Sequence, residues 1–281
     1  MKAYLRLIRF PNLILIVLSQ ALVQACLLAA GVNWAMILRP GFLVLTMSTV
    51  LIAAAGYIIN DYYDVKIDAI NKPDRMLVGK AIRRRPAMFA HMVLSAIGVV
   101  AGALLSISVG LINLGAVLLL WGYSARLKKL LLIGNSAIAL LAASMLLVVA
   151  VYNHSLNKIT LSYAFFAFLI SLIREIIKDM EDVKGDASFD CRTLPIVVGL
   201  RKTKLVLYPL LALFLAFLLV VVFHPATNLL FDGYMLVFVL LPSIWLLLLL
   251  VRADRRRDFT FLSNLNKVIM LMGILSMLLF G

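Results

Sequence analysis

The chain has 281 residues, of which 64% are hydrophobic and only 14% charged. A soluble domain of this size has no use for so much apolar surface, and a multi-pass helical membrane protein is expected. The net charge of +14 would suggest a nucleic-acid partner in a soluble protein, but here the basic residues are spread over several loops that also carry the acids, which excludes it.

Lys2, Arg6 and Arg9 precede the first uncharged run, 12–32. That run is longer than a signal-peptide core and no small-x-small cleavage site follows, so it is expected to remain as a membrane span. Further runs cover 41–59, 86–105, 109–125, 131–152, 159–173, 205–224, 234–251 and 259–280, the last containing Lys267. The segment Pro86–Ala125 has no charged residue for 40 residues, room for two spans of about 20 residues with Ser106–Gly110 as their hairpin. Counting nine spans from a cytoplasmic N-terminus puts 25 of the 27 Lys and Arg residues on the cytoplasmic side, with Arg39 and Lys158 opposite. Fusing the pair into one span destroys that asymmetry. The expectation is therefore an all-α bundle of about nine helices in the cell membrane, one domain over residues 1–281, with its C-terminus on the far side.

The cysteines Cys26 and Cys191 and the histidines His91, His154 and His224 are scattered. None has a partner at metal-ligand spacing, which argues against a histidine metal site or a haem carrier.

Ten of the 13 acidic residues fall in two short clusters. The first holds Asp61, Asp64 and Asp68, with Asp74 beyond; the second holds Glu175, Asp179, Glu181, Asp182 and Asp186, with Asp190 beyond. Each follows an even-numbered span, so both face the cytoplasm, as a parallel duplication of a helix and acidic loop would. Asn60, Asp64 and Asp68 at i, i+4, i+8 share one side of a helix continuing from the second span, and Asp179, Asp182 and Asp186 at i, i+3, i+7 share another. Carboxylates beside apolar helices are costly unless compensated. Two such faces meeting at a bundle's mouth make an oxygen-rich pocket suited to Mg²⁺, which binds through a few carboxylates plus substrate phosphate. The metal-ligand candidates are Asn60, Asp61, Asp64, Asp68, Asp179, Asp182 and Asp186. Arg75, Lys80, Arg83, Arg84, Arg85, Lys128, Arg174 and Lys178 lie near enough to take phosphate charge.

A solvated, salt-bridged helix end accounts for either cluster alone, as with Lys178 and Asp182 at i, i+4, but not for two on one membrane face. Asp232, Asp254 and Asp258 read as ordinary solvated loop charges. The Tyr62-Tyr63 pair suits an interfacial anchor as well as a pocket wall. A cation transporter with paired acids would place them near the midplane in inverted repeats, unlike these clusters at helix ends on one face. A purely structural membrane subunit leaves the carboxylates unexplained.

Asn60-Asp61-x-x-Asp64-x-x-x-Asp68 resembles the first aspartate-rich motif of the UbiA superfamily of intramembrane prenyltransferases, and Asp179-x-x-Asp182-x-x-x-Asp186 resembles its second. Tyr123-Ser124-x-x-Leu127-Lys128 and Gly134-Asn135 are similar to a segment found there between helices four and five. The resemblance implies a prenyl diphosphate held through Mg²⁺ by both motifs, its tail in an apolar tunnel, and an acceptor attacking the ionised allylic carbon. It implies catalytic roles for Asp64, Asp68, Asp182, Asp186, Lys128 and Lys178. Substrate-binding roles fall to Asn60, Arg75, Lys80, Tyr123, Lys128, Arg174 and Lys178. The segment Arg174–Asp186 and Asn60–Asp64 followed by Ile67-Asp68-x-x-Asn71-x-Pro73 look most like the branch that transfers geranylgeranyl groups to geranylgeranylglyceryl phosphate in ether-lipid synthesis. Arg83–Arg85 would suit the second phosphate. The loop Arg75-Met76-Leu77-Val78-Gly79-Lys80 departs from that branch's usual Arg-Pro and Ser-Gly, so an aromatic acceptor of quinone biosynthesis, 4-hydroxybenzoate or dihydroxynaphthoate, is the alternative.

Overall fold

The computed structural model describes residues 2–28, 31–71, 76–189, 191–224 and 227–280. Among them nine helices are long and apolar enough to cross a membrane. They are α1 (Phe10–Leu27), α2 (Pro40–Tyr63), α3 (Arg84–Leu105), α4 (Ile107–Ala125), α5 (Ile133–Tyr152), α6 (Lys158–Ala187), α7 (Leu194–Val222), α8 (Leu229–Arg252) and α9 (Arg256–Leu279). The helices overrun the uncharged runs of the sequence, most of all α6, whose last turns carry the whole second acidic cluster among the described residues. Charge ends an apolar run without ending a helix, because Glu, Lys and Arg are good helix formers.

Interruptions have local causes. In α8 the turn Leu236–Leu240 widens to a π-helix just ahead of Pro242, whose ring has no N–H and would clash with the carbonyl one turn back. Gly199 breaks α7 near its start with φ 83° and ψ 161°, a conformation costly for any residue with a Cβ. Asn157 caps α6 by accepting from Thr160 N at 2.7 Å while donating to Leu27 O at 2.7 Å, which ties α6 to the end of α1.

α2 packs against α3 and α4, α5 joins α4 to α6, and α6 packs on α7 and α9. α8 lies against α7 and α9, and α9 returns to α1, so the chain closes on itself. α6 is the most buried span, whereas α3 and α4 show most of their surface outward, with Leu104 and Ile107 exposed. The principal core lies between α6, α7, α8 and α9 around Phe166, Ile173, Phe214, Leu246 and Phe259. A second core joins α1, α2 and α5 at the opposite end from the acids. Polar side chains tie helices within the apolar layer: Asn153 exchanges hydrogen bonds with Gln24 at 2.7 and 3.3 Å, and Gln20 donates to Thr49 at 3.1 Å. A small cluster of Leu7, Ile58, Val78, Ile82 and Ala87 pins the Val78–Ile82 turn down onto the bundle.

Candidate active site

The first motif rises from the end of α2. The sequence suggests one continuous helix through Asp68, but α2 ends at Tyr63 and a short helix, Val65–Asn71, restarts and packs on α6. Asp64 sits in the break with φ −85° and ψ 1°, letting the chain turn toward α6. The bonds Asp64 N to Asn60 O (2.9 Å) and Asp68 N to Asp64 O (2.7 Å) still link the three motif residues turn by turn. The Asp64 carboxylate accepts directly from Lys128 Nζ, and both side chains are largely buried. Lys128 reaches it because Gly134, at the start of α5, lets the Leu127–Lys129 turn pack on the helix; a Cβ there would sit 2.8 Å from Lys128 Cα.

Asp61 pairs with Arg9 at 3.1 Å, and the Arg9 guanidinium also lies 4.8 Å from the Tyr57 ring centre. Arg9 holds a left-handed backbone, φ 50° and ψ 53°, at the entry to α1. Such a conformation is strained for a non-glycine residue and is retained where the surroundings over-determine it.

On α6, Asp179 accepts from Asn135 Nδ2 at 2.8 Å, Arg174 pairs with Glu175 at 2.5 Å, and Asp182 faces Arg256 of α9 at 3.8 Å. Asp182 is buried, while Asp68 and Asp186 are half-buried and neither stands free of partners. Lys178 lies within electrostatic range of both Asp61 and Asp179. Tyr123 joins the halves: it lies within range of Asp64, Glu175, Asp179 and Arg9. The loop after α6 is tied to the Lys128 turn by Arg192 N donating to Lys129 O at 2.9 Å. Burial, with Asp186 nearby, pushes the Cys191 thiol up to about 11, which leaves it inert at neutral pH.

The structure thus gathers Asn60, Asp61, Asp64, Tyr123, Lys128, Arg174, Lys178, Asp179 and Asp182 at one end of the bundle, with Asp68 and Asp186 on the adjoining turns. Among the described residues no three His, Cys, Asp or Glu side chains form a ready-made metal cluster. Lys80 is exposed on the pinned turn, and Arg75 lies outside the described residues, as do Asp74 and Asp190. Arg83–Arg85 are exposed, and Arg84 covers the Tyr62 ring at 4.5 Å. Of the acids set aside as solvated loop charges, Asp258 instead caps α9 through the Arg255 N–H at 2.9 Å, and Asp232 lies in the first turn of α8. Arg9, Asn135, Arg256 and Lys267 join the site without having been singled out for it; only Asn135 carried a signal, through its Gly134-Asn135 motif.

The UbiA prenyltransferase family profile matches residues 17–268. The chain belongs to the UbiA prenyltransferase family. It is therefore a prenyltransferase, and the nine spans among its described residues make it an integral multi-pass membrane protein. It is 35% identical over 260 residues to the digeranylgeranylglyceryl phosphate synthase of Sulfurisphaera tokodaii, covering 90% of this chain and 88% of that protein. To the synthase of the same name from Methanoregula boonei it is 37% identical over 198 residues, 69% and 68% of the two chains. Among solved structures, one from a study of digeranylgeranylglyceryl phosphate synthase in membranes aligns with TM-score 0.72 at 26% identity, covering 98% of this chain and 96% of that one. A UbiA homolog from Archaeoglobus fulgidus bound to GPP and Mg²⁺ shares the fold with TM-score 0.71 at 17% identity, covering 98% and 99%.

Proposed function

We propose that the protein transfers a geranylgeranyl group from geranylgeranyl diphosphate to the hydroxyl of geranylgeranylglyceryl phosphate, forming an ether lipid. The observation that carries this reading is the convergence of both aspartate motifs, with Lys128, Lys178 and Arg174, around Tyr123 at one end of an apolar bundle. The names of the relatives support the acceptor. Residues 1–281 act as a single domain, with the site and N-terminus on the cytoplasmic side, as the placement of basic residues favours, and the C-terminus opposite.

The donor set fits Mg²⁺, which uses one or two carboxylates and takes its other oxygens from phosphate and water; a preassembled trio of acids is not required. Asn60, Asp61, Asp64, Asp68, Asp179, Asp182 and Asp186 are the residues that would hold it. When bound, it neutralises diphosphate charge. Lys128 and Lys178 act on the same oxygens as point charges, Lys80 and Arg75 add to the binding field, and Arg174 binds substrate phosphate from the neighbouring face of α6. As the allylic C–O bond breaks, the electron pair leaves with the diphosphate, where these cations stabilise it. The surrounding apolar helices keep water from the cationic carbon. The acceptor hydroxyl then forms the new C–O bond and passes its proton to an oxygen of the released diphosphate.

Purified protein in lipid nanodiscs, given Mg²⁺ and labelled geranylgeranyl diphosphate, should prenylate geranylgeranylglyceryl phosphate in preference to 4-hydroxybenzoate or dihydroxynaphthoate. Robust transfer to 4-hydroxybenzoate with none to the phospholipid acceptor would overturn the acceptor assignment.

A further inference from the structure

α6 carries a second polar face that the aspartate motif does not use. Arg174, Lys178 and Glu181, spaced i, i+4, i+7, point roughly 100° round the helix from Asp179, Asp182 and Asp186. Two contacts fix how α9 lies against α6. Thr260 Oγ1 donates to Glu181 at 3.0 Å, and Gly273 lies against the Phe166 ring, so the helices run antiparallel. Seven residues along α9 from Thr260, and seven back along α6 from Glu181, Lys267 and Arg174 come level. That level is about 10 Å further into the bundle than the Thr260–Glu181 contact.

Lys267 lies within electrostatic range of Arg174, Lys178, Arg9 and the Glu181 carboxylate. Arg9 and Arg174 have acidic partners, Asp61 and Glu175, whereas Lys178 and Lys267 have no salt bridge among the described residues. The Arg174 Nε is buried without a hydrogen-bond partner. Beside Lys267 in the chain, Asn266 is fully buried and neither its amide nitrogen nor its oxygen has a partner. The Arg174 Nε and the Asn266 amide are buried donors with no partner, which is expensive inside an apolar bundle, and Lys267, exposed beside them, adds a cation; an anion with several acceptor oxygens answers all three.

We propose that Lys267, with Arg174 and Asn266, forms the subsite for the acceptor's phosphate, beside and distinct from the diphosphate pocket on the aspartate face. This inference rests on the phospholipid acceptor assigned above. A glycerol backbone separates the acceptor's phosphate from its reacting hydroxyl, so two anion sites on neighbouring faces of one helix suit the two substrates.

The test compares wild type, Lys267→Met and Lys267→Arg with geranylgeranylglyceryl phosphate and with its phosphate-free alcohol as acceptors. Methionine keeps the length and apolar character of the stem, so the variant should stay folded, which size-exclusion chromatography checks. Loss of one charge-assisted contact should raise the KM for the phosphorylated acceptor about tenfold or more. The KM for the donor should move by less than about twofold, and Arg should restore most of the loss. Wild type should prefer the phosphorylated acceptor, and Lys267→Met should narrow that preference by the same factor. An unchanged acceptor KM, or a rise in the donor KM instead, overturns the subsite while leaving the reaction intact. Transfer by wild type to neither acceptor overturns the reaction itself.

Discussion

Replacing Asp64 by Asn and Lys128 by Met, singly and together, separates what this pair does at rest from what it does in turnover. The side chains touch and are 15% and 11% exposed. Removing one partner of a fully buried pair costs about 3–5 kcal/mol, whereas an exposed pair is worth about 0.2–1 kcal/mol. Between those limits, each single replacement should cost about 2 kcal/mol of stability, because it leaves one largely buried charge alone. The double replacement removes both charges, so its cost should fall short of the sum of the singles by roughly 1–3 kcal/mol. Thermal inactivation half-lives in nanodiscs report this. Turnover should behave differently, because the proposed function gives Asp64 to the metal and Lys128 to the phosphate. Each single replacement should lower transfer by about 100-fold, and the double should not regain it. Strictly additive stability losses would refute the resting pair. Recovery of turnover in the double would refute the separate roles.

Asp182→Asn should abolish most transfer while leaving the protein folded, and near-wild-type turnover at saturating Mg²⁺ would remove Asp182 from the ligand set. Asn135→Leu deletes the donor to the Asp179 carboxylate and should cost about 1–3 kcal/mol in thermal stability; no change in melting would show that Asp179 finds another donor. Mg²⁺ and donor should each tighten the other's binding by the same factor, about tenfold or more, measured by titrating donor with Mg²⁺ and with EDTA and titrating Mg²⁺ with and without donor. Equal donor affinity in the two conditions would refute the shared site.

The spans were legible because hydropathy and charge placement agree: the hairpin at Ser106, with α4 starting at Ile107, follows from the uncharged segment and the distribution of Lys and Arg. The acidic halves of the site were legible through helical spacing and placement on one membrane face. Arg9 was not, because a basic residue before the first span is what topology alone requires, and only the folded chain shows its left-handed backbone and its contact with Asp61. The break at Asp64 was hidden for a different reason: spacings i, i+4 and i+8 are the same whether the helix continues or pauses for one residue. Lys267 was tolerated as one charge in an apolar run, since its charged neighbours on α6 lie more than 80 residues away in the chain and are brought level only by interhelical packing. Arg83–Arg85, clustered in sequence, stand exposed at the start of α3, with Arg84 over the Tyr62 ring.

An apolar bundle cannot leave many charges unanswered, and the site answers most of its own. Arg9 holds Asp61, Lys128 holds Asp64, Arg174 holds Glu175, and Arg256 approaches Asp182. Each pair joins segments distant in sequence except Arg174 with its neighbour, so the resting charges also fix how α1, α2, the Lys128 turn, α6 and α9 meet. Under the proposed function, binding a diphosphate together with a divalent cation would be an exchange of partners: the cations would pass to phosphate oxygens as the carboxylates passed to metal. Neither ligand alone can complete that exchange, since diphosphate alone would strip the cations and strand the acids, and metal alone would do the reverse. Under the proposed function, coupled binding of donor and metal would follow from the largely buried Lys128–Asp64 pair, and it would confine charge separation to the moment when both are present and the helices exclude water. Lys178 and Lys267 are the exceptions, cations with no salt bridge among the described residues, and the proposed subsites would give each a substrate anion as its partner.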